Sequence, residues 1–104
     1  MRPETYFVIN GQPTIYKNPG ARLLYGIGLA DWLAEAGTTL ETVTAEATGV
    51  VIDGAPFILG DVVCAWIQGL DERDGAVNKC VFNFTCADGK SGDSRSIYFK
   101  KRPG

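Results

Sequence analysis

The residues with the potential for chemistry fall into four groups, and each is tested by its spacing. Gly26-x-Gly28-x-x-Asp31 begins like a dinucleotide-binding loop. That loop needs a third glycine and a helix whose N-terminus meets the pyrophosphate inside a parallel βαβ unit. The third glycine is absent and no βαβ unit follows, so no nucleotide site is expected. Asp71, Glu72 and Asp74 gather carboxylates as a calcium loop does. Calcium requires six to eight oxygens in a defined loop, and the EF-hand spacing is missing, so a solvated loop is the simpler reading. Cys64, Cys80 and Cys86 form an odd set without a CxxC pair, which argues against zinc. Cys80 and Cys86 lie on one expected strand, about 20 Å apart, far beyond disulfide reach. Buried, reduced thiols are expected. Lys100-Lys101-Arg102 is a short basic run that reads as a solvated end rather than a phosphate site.

The chain of 104 residues has no histidine. This removes the usual neutral-pH general base, the Ser-His and Cys-His nucleophile pairs and the commonest metal ligand. Only carboxylate or lysine chemistry is left, and no cluster of either suggests an active site. No enzyme activity, cofactor or metal is expected. A formal charge of −2 supplies no broad cationic surface, so neither nucleic acid nor an anionic membrane is an expected partner. No segment approaches the ~20 apolar residues of a membrane span, and the first residues lack a signal-peptide core. A chain that is cytosolic when made is the corresponding expectation.

The elements around these residues are mostly strands. Tyr6 to Ile9 and Thr14-Ile15-Tyr16 flank Asn10-Gly11, a pair suited to a type I′ turn. Residues 1–20 are therefore expected to form an edge hairpin or an extended arm, with Pro13 keeping the second strand at an edge. Tyr6, Phe7, Ile9, Ile15 and Tyr16 become candidate interface residues. After Lys17-Asn18-Pro19-Gly20, residues 21–104 form the expected main domain. Strands are predicted over Ala21 to Leu29, Thr39 to Ala47, Val50 to Ile52, Asp61 to Gln68, Asn78 to Ala87 and Ser94 to Lys101. Asp53-Gly54 reads as a turn, and Pro56 makes Phe57 to Leu59 an edge or loop.

Cys80, Phe82, Phe84 and Cys86 share one face of their strand, and Ile97 and Phe99 share one face of the last. One apolar face per strand suits two packed sheets. The fold class is therefore all-β, an antiparallel β-sandwich of six or seven strands. The stretch 26–37 is expected to be a structural corner. In it Asp31 caps a short helical turn over residues 31–36, Trp32 and Leu33 insert into the sandwich end, and Gly37 closes the turn. Trp66, among Val62, Val63, Cys64 and Ile67, reads as core.

In order, these segments resemble a family of short phage virion proteins with an Ig-like β-sandwich, the fibre–tail adaptors. A Lys-x-Pro-x-Ala-x-Leu-x-Tyr pattern is matched by Lys17 to Tyr25, and an Asp-Trp-Leu-Ala turn by Asp31 to Ala34. A Trp-Leu-x-Gly-Gly strand end is matched in part by Trp66 to Gly69, and the final hairpin by Ala87-Asp88-Gly89-Lys90 and Arg95-Ser96-Ile97. Gly28-Leu29 and Leu70 depart from the pattern. The resemblance spans residues 17–102. It implies a virion location, an assembly role without turnover, contacts with other tail, adaptor or fibre subunits, and a homo-oligomer. Tyr25, Asp31, Trp32, Leu33, Trp66, Phe82, Phe84, Asp88, Gly89, Ile97 and Phe99 are the expected structural anchors. A capsid decoration protein and an Ig-like surface- or carbohydrate-binding module are the alternative functions on such a fold.

Overall fold

Alternation along the strand Lys79–Cys86 organises the whole molecule: Cys80, Phe82, Phe84 and Cys86 are all buried, and the residues between them are more exposed. The computed structural model describes the backbone of residues 7–9 and all of residues 14–101. In chain order the elements are β1 (Phe7–Ile9), β2 (Thr14–Lys17), β3 (Arg22–Gly28), α1 (Ala30–Ala36), β4 (Leu40–Thr48), β5 (Val51–Leu59), β6 (Val62–Gln68), β7 (Lys79–Cys86) and β8 (Gly92–Lys101). They make two four-stranded sheets, ordered β1-β3-β6-β5 and β2-β8-β7-β4.

The two sheets enclose one apolar core. Tyr25 and Ile27 of β3 meet Val63, Ala65 and Ile67 of β6 from one side. Phe82 and Phe84 of β7 and Ile97 and Phe99 of β8 meet them from the other. The Tyr25 and Phe99 rings pack edge to face across the core at 5.0 Å. This is the all-β sandwich that the strand patterns predict, with eight strands among the described residues instead of six or seven.

The expected N-terminal hairpin does not form. β1 pairs in parallel with β3, and β2 pairs in parallel with β8, so the two lie at edges of different sheets. The physical reason is edge satisfaction: β3 and β8 each offer an unpaired backbone edge, and these two edges recruit the strands separately. The remaining pairings are antiparallel. β5 is one strand through the expected turn at Asp53-Gly54. The chain absorbs Gly54 (φ 88°) and Pro56 in an irregularity between Asp53 and Phe57 and then resumes its pairing with β6.

The corner is a seven-residue helix, and Asp31 does not cap it. The N-cap position is Leu29, which makes no side-chain cap bond, and its N–H donates to the Asp61 carbonyl at 2.8 Å. The Leu29 carbonyl accepts the first helical bond, from the Leu33 amide at 2.8 Å, so the helix starts at Ala30 and Asp31 lies exposed in the first turn, where its charge favours the helix N-terminus. Gly37, at φ 72°, ends the helix and donates to the Leu33 carbonyl at 2.8 Å. Leu33 is buried in the core, and Trp32 packs its ring edge-on to Phe84 at 5.0 Å.

Candidate interaction surface

Because side chains alternate across a strand, the core positions of β3, β5 and β6 dictate which residues lie on the outer face of their sheet. Val63, Ala65 and Ile67 point inward, so Val62, Cys64 and Trp66 point outward. The register places Leu24 and Asp53 on either side of Trp66, Gly26 and Phe57 beside Cys64, and Gly28 and Leu59 beside Val62. The result is an apolar outer face. Leu24 and Cys64 on this face are nonetheless covered, at 3% and 0% exposed, while Val51 and Leu59 of the edge strand stand open at 56% and 48%. Trp66 is therefore not a core residue. β6 runs apolar from Val62 to Ile67, a pattern that cannot say which parity faces the core, and the inward parity goes to Val63, Ala65 and Ile67.

One polar pair is set into this face. The Arg22 guanidinium carbon lies 4.4 Å from the Trp66 ring centroid. Arg22 also pairs through Nε with Asp53, the register partner of Trp66. A cation held over an indole and tethered by a carboxylate keeps a largely covered tryptophan in one place. The outer face of the other sheet is of a different kind. Thr42, Thr44 and Thr48 of β4, Asn83 and Thr85 of β7, and Ser94 and Ser96 of β8 cover it, with Thr42 bonded to Thr85 and Ser94 donating to Asn83. The sandwich thus presents an apolar outer face and a hydroxyl-rich one.

The candidate interface residues near the N-terminus are divided by the structure. Tyr6 lies outside the described residues, and Phe7 and Ile9 lie in β1, in register with Tyr25 and Ile27. Ile15 packs against the core, because β2 turns Ile15 and Lys17 inward; Tyr16 faces outward and is 51% exposed. Ile15 is therefore partly buried. The remaining anchors are dispersed through the fold: Tyr25, Leu33, Phe82, Phe84, Ile97 and Phe99 are in the core. Asp88 and Gly89 shape the β7–β8 turn. There the Asp88 carboxylate accepts from the Lys90 and Ser91 amides at 2.9 and 2.8 Å and from the Ser91 hydroxyl at 2.6 Å. Those bonds hold its pKa below the usual carboxylate range.

Asp71 and Arg73 are engaged with each other. Arg73 forms a two-pronged pair with Asp71, and that bonding brings the Asp71 pKa down to about 2. Burial pushes the Cys80 thiol up to about 12, and Cys64, Cys80 and Cys86 are all buried. Among the described residues no group of three His, Cys, Asp or Glu side chains is placed to hold a metal ion. Among those residues also, no helix is long and apolar enough to cross a membrane.

Two structural residues escaped the sequence reading. Lys17 is 1% exposed, and its Nζ donates to the carbonyls of Ala21 (2.6 Å) and Asn18 (3.1 Å), with burial lowering its pKa. Asn78, also buried, accepts from the Asp71 amide at 2.8 Å and donates to the Asp71 carbonyl at 2.9 Å, closing the loop between β6 and β7. Nothing local marks either residue, since lysine and asparagine are ordinarily surface types.

Fold and surface together define a small sandwich module with one apolar outer face. Residues 17–100 match the family described as podophage GP4 fiber-tail adaptor protein gp77, and the chain belongs to that family. Comparison with curated proteins and with solved structures finds no match. The match takes in the corner helix, the Arg22–Trp66 pair and strands β3 to β7 whole.

Proposed function

We propose that this chain is a structural subunit of the podophage tail, seated where the fibres attach, and that it works by protein–protein contact without turnover. Its partners are tail, adaptor or fibre proteins and further copies of itself; nucleic acid, membrane and cofactors have no part in this role. The observation that carries the reading is the apolar outer face of the β1-β3-β6-β5 sheet, where Val51 and Leu59 are about half exposed around the Arg22–Trp66 pair. Aromatic and arginine side chains are enriched where protein surfaces meet, and exposed apolar area of this kind marks docking sites. Membership of the adaptor family supplies the class of neighbour.

We also read the sandwich as Ig-like. With β1 and β3 to β8 taken as seven consecutive strands, the sheet orders run first-second-fifth-fourth and seventh-sixth-third. That is the strand order of a seven-stranded immunoglobulin constant-type domain.

A cryo-electron microscopy map of the virion tests the location. The proposal requires the sandwich in a ring between tail tube and fibres. Density for it repeated over the capsid shell would overturn the proposal in favour of a decoration protein.

A further inference from the structure

The six strands β3 to β8 pair only antiparallel with one another, whereas β1 and β2 are added in parallel at the outer edges. The family match begins at residue 17, so β1 and all of β2 except Lys17 lie outside it. The matched part is thus a closed two-sheet core with a backbone edge on β3 and another on β8, and the preceding segment supplies a strand to each. An open strand edge is a template for pairing with any extended segment that reaches it.

The two added strands are not held alike. β2 is fixed to its own sandwich: Ala21 donates to the Asn18 carbonyl at 3.0 Å, and the buried Lys17 ammonium bonds both Asn18 and Ala21 across the link to β3. β1 is a three-residue Phe-Val-Ile strand, separated from β2 by residues 10–13. So short a strand gains little from local pairing. The β3 edge from Tyr25 to Ile27 offers the same N–H and C=O groups whichever copy supplies the strand, so exchange between copies loses no bonds.

We propose that the β3 edge is a strand-acceptor site and that, in the assembled protein, Phe7–Ile9 of a neighbouring copy fills it, parallel to Tyr25–Ile27. β2 keeps each arm rooted in its own sandwich while β1 reaches the next one. Reciprocal donation closes a dimer, and head-to-tail donation closes into a ring or extends into a filament. The inference concerns contacts between copies, and it stands or falls separately from which virion protein meets the apolar face.

The test uses the intact chain. Equal amounts of ¹³C,¹⁵N-labelled and unlabelled protein are unfolded together, refolded and concentrated until light scattering registers association. Isotope-filtered nuclear Overhauser spectra then select contacts between labelled and unlabelled copies. The expected result is intermolecular cross-peaks between residues 7–9 and residues 25–27. Cross-peaks for this pair only within one copy would overturn the proposal, as would none in either class. A protein that stays monomeric up to its solubility limit would overturn it equally.

Discussion

The Arg22 guanidinium sits 4.4 Å from the centre of the Trp66 ring, on the outer face of a sheet, and pairs through its Nε with Asp53. This relationship moves Trp66 from the stability ledger of the core to the surface. Trp66→Ala is therefore expected to cost roughly 2–3 kcal/mol, the loss of a largely covered side chain outside the core and of its cation–π contact. Phe82→Ala, in the core, is expected to cost about 3–5 kcal/mol. Urea titrations followed by far-ultraviolet circular dichroism measure both. Equal losses would return Trp66 to the core.

The thiols give the second prediction. Cys64, Cys80 and Cys86 are buried, and burial raises the Cys80 pKa to about 12. A thiolate is the reactive form, so native protein should react with a thiol reagent slowly, at the rate of local opening, and unfolded protein promptly at three sites. Intact mass under non-reducing conditions should equal that of the fully reduced chain. A uniform loss of two mass units would contradict this.

The third prediction concerns pH. Arg73 lowers the Asp71 pKa from 3.8 to about 2. A carboxylate with a depressed folded-state pKa stabilises the fold above its unfolded pKa, and that contribution fades as pH falls through the folded value. The Asp71 contribution is thus present above about pH 4 and lost as pH drops towards 2. Carboxyl ¹³C titration should place the Asp71 midpoint near 2, and Arg73→Ala should move it upward. An unchanged midpoint in that variant would remove Arg73 as the cause.

The fourth prediction concerns the loop tie. Asn78 bonds both backbone groups of Asp71, and its own carbonyl accepts from the Phe99 amide at 2.8 Å. Asn78→Ala should cost about 1–3 kcal/mol, the loss attached to buried polar groups left without partners. Gly49 lies against it at φ 76°, and a Cβ there would stand 2.6 Å from the Val77 carbonyl. Gly49→Ala should therefore destabilise as well, through strain at a left-handed angle and that overlap. Hydrogen exchange should localise the Asn78→Ala effect to residues 70–78; protection unchanged there would contradict the tie.

Local pattern carried much of this fold, and its failures have physical causes. The alternation of Cys80, Phe82, Phe84 and Cys86 is readable because polar residues separate most of its members, and Gly37 is readable because a left-handed helix end favours glycine. The N-terminal pairing is not readable, since Asn10-Gly11 reports a local preference while β1 and β2 answer to sheet edges distant in sequence. Trp66 was misplaced because Val62 to Ile67 is apolar on both faces, so neither parity declares itself. Asp31 does not cap because the helix opens two residues earlier than its carboxylate suggests: the Leu29 carbonyl accepts from the Leu33 amide, which places Asp31 inside the first turn. The apolar outer face emerges only when Val51, Phe57 and Leu59 of β5 are brought beside Trp66 of β6 by the register of the two strands.

The central claim is that this outer face docks a tail or fibre neighbour, and the most direct measurement is incorporation of a surface variant into virions. Val51 and Leu59 are about half exposed, so Val51→Glu/Leu59→Glu should keep the wild-type circular dichroism spectrum and a nearby urea midpoint. Thr42→Glu/Thr44→Glu, on the hydroxyl-rich face, serves as the control. Quantitative mass spectrometry of particles assembled with each variant should find the first depleted at least about tenfold, the effect of losing 1.4 kcal/mol of binding, and the control at the wild-type level. A folded Val51→Glu/Leu59→Glu chain present in particles at the wild-type level would contradict the account.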